Sequence, residues 1–237
     1  MSAFWLKIIA LISMIIDHSI RVFPELTILL PLGRIAFPIF VYLLAEGFRH
    51  TRYPLKFLAR LFIFALISQP PFDWVINEGE IPWGVDFFSG TNIFYTLFLG
   101  GASIYLYNVL KPKIGFLSIL PLFIFMIIAA FVLTTDYGAY GVLFIFIMYA
   151  IKTLKLRLFA MVLLCLWQLR VILEQVVLYW AFGQLVTFDA IFLLMIPSVL
   201  LSVLFVSFYN GERGTNIKWL FYAAYPIHLL VLAFIMP

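Results

Sequence analysis
The chain has 237 residues, 65% of them hydrophobic and only 11% charged, with a mean hydropathy of +1.14. That composition excludes a water-soluble globular domain, and runs of about 20 apolar residues between short polar gaps describe a polytopic, all-α membrane bundle. The formal net charge is +4, and the excess of basic residues reads as a topology signal, not as a nucleic-acid surface.

Nine spans are expected, over 4–23, 28–48, 54–70, 92–110, 114–134, 141–154, 158–180, 189–208 and 219–236, the sixth short. No gap is long and polar enough for a soluble domain, so one domain is expected over 1–237. The apolar amino-terminal run has no basic flank and no small-residue cleavage site, so it reads as a retained span. Gaps holding Arg49, Arg52 and Lys56, then Lys111 and Lys113, then Lys152, Lys155 and Arg157, then Arg213 and Lys218, alternate with gaps lacking Lys and Arg. That alternation places the amino terminus in the cytoplasm and the carboxyl terminus outside. The longest outer gap, 71–91, carries Trp74 and Trp83 among acids and reads as an interfacial loop. The single Cys165 excludes an intrachain disulfide and a multi-cysteine metal site, and no metal is expected.

The first span, FWLKIIALISMIIDHSIRVF, holds the unusual residues. Ionisable groups at the centre of a span cost ~2.5–3.5 kcal/mol each for Arg, Lys or Asp. Lys7 and His18 are eleven residues apart, which puts them on one helical face about 16 Å apart along the axis. Asp17 lies beside His18, and Arg34 enters the second span at nearly the same depth as the natural partner of Asp17. His18 suits a general base, with a carboxylate to stabilise its imidazolium. The plainer alternative is a hydrogen bond between helices. Further buried ionisable groups are Glu46, the i,i+4 pair Arg170 and Glu174, and His228, with Tyr225 one turn before it and Tyr137 on the outer side.

A second constellation lies on the inner side. Arg52, Lys56 and Arg60 fall at i,i+4 spacing, and guanidinium forks suit phosphates. Topology alone also explains basic residues there, although Arg60 lies inside its span. Asn210-Gly211-Glu212-Arg213-Gly214 is a glycine-bracketed turn that either presents Arg213 and backbone N–H groups to a phosphate or is an ordinary turn.

The chain resembles the TraX family. The resemblance rests on KIIALISMIIDH (7–18), GRIAFPIFVYLLAEG (33–47), YNGERG (209–214) and KWLFYAAYPIHL (218–229), and it runs over nearly the whole chain. It implies a bacterial inner-membrane protein that acetylates the amino terminus of a pilin. A wider likeness is to the family-three transmembrane acyltransferases. They carry a basic residue, ten residues and a His in the first span, matched by Lys7 and His18, and two arginines separated by two residues, matched by Arg49 and Arg52. Those enzymes draw an acyl group from cytoplasmic acyl-CoA and usually have ten or more spans.

The resemblance implies acetyl-CoA as donor and a protein or peptide amino terminus as acceptor. Lys7, Arg49, Arg52, Lys56, Arg60 and Arg213 are then the cofactor's anchors. His18 is the base, beside Asp17, and Arg34 or Asn92 stabilises the oxyanion. Glu46, Asn92, Tyr137, Arg170, Glu174, Tyr225 and His228 line the cavity. Two other functions stay open: an O-acetyltransferase of a surface glycan or lipid-linked sugar, and a proton- or ion-coupled transporter. Against the second, no inverted repeat is visible.

Overall fold
The computed structural model describes residues 1–77, 87, 90–181 and 190–236, side chains within 168–195 excepted. Among the described residues it is helical throughout, without strands. The helices are α1 (Ala3–Val22), α2 (Leu30–Gly33), α3 (Ala36–His50), α4 (Pro54–Ile76), α5 (Ile93–Ile114), α6 (Leu120–Ile127), α7 (Gly138–Ala150), α8 (Leu154–Ala181), α9 (Ala190–Ser207) and α10 (Lys218–Ile235). Among the described residues, five stretches are long and apolar enough to cross a membrane: Ala3–Val22, Pro24–His50, Pro54–Ile76, Ile93–Val132 and Lys218–Ile235. The chain is a multi-pass helical membrane protein.

Local chemistry sets the helix ends. Pro54 opens α4 at a position that needs no N–H. Asn92 caps α5, its side-chain oxygen accepting from the Phe94 N–H. Gly115, at φ 57, ends α5, and a short 3₁₀ turn (Gly115–Ile119) leads into α6, which packs back on α5. The 40-residue apolar run Ile93–Val132 is therefore folded on itself.

Two expectations are corrected. The second span is not one helix: a 3₁₀ segment (Pro24–Leu29) and the four-residue α2 precede a bend at Arg34 and Ile35, and α3 starts only at Ala36. Pro31 at the start of α2 and Gly33 at its end favour that break. The third span does not stop at Pro70. α4 continues through Pro70 and Pro71 to Ile76, so Asp73 and Trp74 are helical; 78–86, 88 and 89 of that gap lie outside the described residues. Contacts group the residues into two compact units, Met1–Phe40 with Lys152–Asn216, and Val41–Ile151 with Ile217–Pro237.

In the first unit α1 packs on α2, α2 on α9, and α8 on α9. A Cβ built on Gly33 would stand 2.9 Å from the Asp17 Cα, so only glycine permits this approach of α2 to α1. The first residues run along the loop after α9: Met1 and Ala3 donate backbone N–H groups to the carbonyls of Phe208 and Glu212, and Asn210 donates its N–H to the Met1 carbonyl.

The second unit is built on α5. α4 runs antiparallel to it, with Phe62 against Phe98 at 5.1 Å and Asn92 against Ala65 and Gln69. α7 lies on α5 at Gly100, where a Cβ would come within 2.9 Å of the Ile145 Cβ. α10 lies along α4. Gly100→Ala should therefore overpack the α5–α7 seam and destabilise the protein by about 1–3 kcal/mol. A thermal melt in detergent would show it, and Ile145→Ala should restore part of the loss in the double variant. An unchanged melting temperature for Gly100→Ala would show that the seam yields freely.

Candidate functional site
Each unit carries a group of the expected site residues. In the first, α1 presents Lys7, Asp17 and His18, all half-buried. The bend after α2 delivers Arg34, whose Nε lies 3.1 Å from Asp17 Oδ1. The two atoms are at hydrogen-bond distance without being aligned as a hydrogen bond, so the attraction is mainly that of two charges. The expected Asp17–Arg34 pair is thus present, although less buried than expected: the Arg34 side chain is 39% exposed and that of Asp17 21%. Arg34 stands at the bend, not within a straight helix. Gly33 makes the pair possible by bringing the backbone before Arg34 onto the backbone of Asp17.

At the other end of α1, Lys7 lies within electrostatic range of Arg213, from the loop that follows α9. Arg213 is exposed and donates to Asn216 Oδ1 at 3.2 Å. Asn210 and Glu212 close the turn, the Glu212 N–H donating to Asn210 Oδ1 at 3.1 Å. Gly214, at φ +66, lets the loop press on Ser2 and Phe4, where a Cβ would meet Ser2 Oγ at 2.6 Å. Two cations from distant parts of the sequence are held near each other, an arrangement suited to an anion with several charges. Arg170 and Glu174 lie on α8 among the side chains outside the description.

In the second unit Arg49 turns toward the end of α7. Its Nη2 donates to the carbonyls of Met148, Tyr149 and Ile151, its Nη1 lies 3.5 Å from Glu46 Oε1, and its guanidinium sits over the Tyr149 ring. This is a side-chain cap for carbonyls that end a helix without N–H partners. Glu46 also approaches His50 Nε2 at 3.5 Å. Arg52 and Lys56 are exposed, with Lys56 over the Tyr53 ring. Arg60 is half-buried beside the Phe57 ring and the Tyr222 hydroxyl. Tyr137 precedes α7 and is half-buried.

Asn92 is fully buried, and its amide is engaged throughout. Nδ2 donates to the Ala65 carbonyl at 2.8 Å and to Gln69 Oε1 at 2.7 Å, while Oδ1 accepts from the Phe94 N–H at 3.0 Å. Its position in the fold is that of a helix cap. Tyr225 and His228 are buried on α10, their rings edge to face at 5.5 Å, with His228 Nδ1 2.8 Å from the Ala224 carbonyl.

Sequence reasoning passed over several buried polar groups. Arg157 was counted as a topology charge but is 5% exposed, and its Nη2 donates to the Lys152 carbonyl. Gln69 and Asp73 were missed because the third span was ended between them. Their i,i+4 spacing was the available signal.

Residues 2–236 match the family described as "TraX protein". The chain is 32% identical, over 250 residues, to the "Probable fimbrial assembly protein FimC, serogroup H1" of Dichelobacter nodosus, an alignment covering 98% of this chain and 94% of that protein. No solved structure matches.

The Asp17–Arg34 pair lies between the exposed and the buried extremes, so Asp17→Asn or Arg34→Gln should each destabilise by roughly 1–3 kcal/mol. Thermal melts of both single variants and of the double variant form the check. The double should lose less than the sum of the singles, whereas strict additivity would mean that the two charges do not help each other.

Proposed function
The chain belongs to the TraX family, and on that premise we propose that it is a membrane-embedded acetyltransferase, moving an acetyl group from cytoplasmic acetyl-CoA to the amino-terminal amine of a pilin-like protein. The observation that supports this most is the layout of α1. A cation pair, Lys7 with Arg213, stands at one end, and an imidazole, His18, beside the Asp17–Arg34 pair, stands at the other. Lys7 and His18 are about 16 Å apart along the helix, roughly the reach of a pantetheine arm.

On this reading the phosphates of CoA rest at Lys7 and Arg213. The thioester then reaches the level of His18, and the acceptor amine attacks its carbonyl carbon directly. His18 takes the proton that the amine nitrogen loses. The C–S bond breaks, and the thiolate leaves on CoA. Arg34 offsets the negative charge that develops on the carbonyl oxygen, while Asp17 steadies both Arg34 and the imidazolium. Arg49, engaged with α7, orients the helix that leads to Arg52. A fimbrial name on a relative supports a pilin-like acceptor over a glycan. The same reading places the chain in the bacterial inner membrane, with nine spans and a cytoplasmic amino terminus.

Radiolabelled acetyl-CoA, a peptide bearing a pilin-like amino terminus and the purified protein make the test. His18→Ala should abolish transfer while leaving acetyl-CoA binding nearly intact; retained turnover removes His18 from the mechanism. Lys7→Ala and Arg213→Ala should raise the acetyl-CoA KM more than they lower kcat, as lost uniform binding does. Equal KM values in wild type and in both variants would leave the cation pair without a cofactor role.

A further inference from the structure
The interior shared by α4, α5 and α10 is polar where a membrane bundle is usually apolar. Gln69 of α4 and Asn92 of α5 are both fully buried, and Gln69 Nε2 donates to Asp73 Oδ1 at 2.7 Å. Around them lie three further buried hydroxyls: Ser68 at 0%, Thr96 at 0% and Tyr95 at 3% exposure. None of the three oxygens has a protein hydrogen-bond partner. Two other buried helical serines bond back to their own helix, Ser103 to the Gly100 carbonyl and Ser202 to the Ser198 carbonyl, each at 2.7 Å. Ser68 and Thr96 decline that option, and leaving a buried hydroxyl unmet is costly.

These groups share one level. Thr96 and Tyr95 follow Asn92 by four and three residues, on its face of α5. Ser68 adjoins Gln69, the residue that meets Asn92. α10 runs parallel to α4, with Phe64 stacked on Tyr222 and Trp74 edge-on to Phe234, each at 5.0 Å. Those two contacts bring His228, 8% exposed, opposite 68–70. Asp73 lies one turn further along and within electrostatic range of Tyr95. Among the described residues, the other titratable groups there are Tyr222 and Tyr225 of α10 and, toward the start of α4, Arg60.

We propose that this interior is a water-binding chamber, lined by Ser68, Tyr95 and Thr96, that joins Asp73 to His228 as one proton-exchange site. Buried water binds where several polar groups converge without other partners. A proton leaving the His228 imidazolium passes to water as hydronium and is taken by the Asp73 carboxylate. The reverse path returns it, and only N–H and O–H bonds are made or broken. The chamber lies within the second unit and does not depend on the acetyltransferase reading.

The test is microsecond X-ray radiolysis of the full-length protein in nanodiscs, read by mass spectrometry. Radicals form from bound water and mark the side chains touching it. Phe144, 0% exposed and edge-on to Tyr140 at 5.8 Å, is the control. After correction for intrinsic reactivity, Tyr95 should be modified several-fold faster than Phe144. The Ser68→Ala/Thr96→Val double variant should cut the Tyr95 rate several-fold and leave Phe144 unchanged. Tyr95 labelled no faster than Phe144 overturns the chamber, and this comparison needs only the wild-type protein. A rate at Tyr95 that is unchanged in a folded double variant also overturns it.

Discussion
Asp17 and Arg34 hold each other at a place where neither charge would rest alone. A carboxylate within an apolar span is costly unless a cation meets it, and a guanidinium is equally costly without an anion. The contact requires the backbone of α2 to touch the backbone of α1, which Gly33 allows. It also requires Arg34 to leave the helical line, which the bend before α3 provides. Glycine, bend and ion pair are three aspects of one constraint, and together they hold the surroundings of His18.

The basic residues that look alike in sequence separate by what their heads touch. Arg49 ends α7 by engaging its last carbonyls, Arg157 is buried against the carbonyl of Lys152, and Arg52 is exposed. All three stand in gaps where a topology rule predicts positive charge. Topology and local structure are satisfied by the same side chain, so a basic gap residue cannot be taken as a ligand anchor from its position alone.

Much of this was legible in the sequence because hydropathy dictates it. The helices over 3–22, 93–114 and 218–235 and the first part of α4 follow apolar runs, and the Asp17–Arg34 pair followed from two ionisable residues at matched depth. Other features were not legible. The break of the second span depends on how closely α1 approaches, a property of two segments. The extension of α4 runs against the usual reading of two prolines as a stop signal. The polar interior of the second unit was hidden for the same reason, since Gln69 and Asp73 fall on either side of those prolines. The partnership of Lys7 with Arg213 joins residues far apart in the chain, and one sequence holds no pairwise information of that kind.

The two prolines of α4 also have a mechanical consequence. Pro70 and Pro71 lack N–H groups, so two successive rungs of the helical ladder, those that would end on the Leu66 and Ile67 carbonyls, are missing. Bending α4 at this point breaks fewer hydrogen bonds than bending it anywhere else along its length. The side chains of Leu66 and Ile67 face outward, 37% and 50% exposed, so the weakened stretch adjoins the surrounding lipid. A bilayer thinner or thicker than the helix prefers must be met by tilt or by a kink. In this chain the kink has a prepared place, and the turn carrying Asp73 and Trp74 is the part that would move with it. Lipid thickness thereby becomes a variable to which this end of the protein can respond.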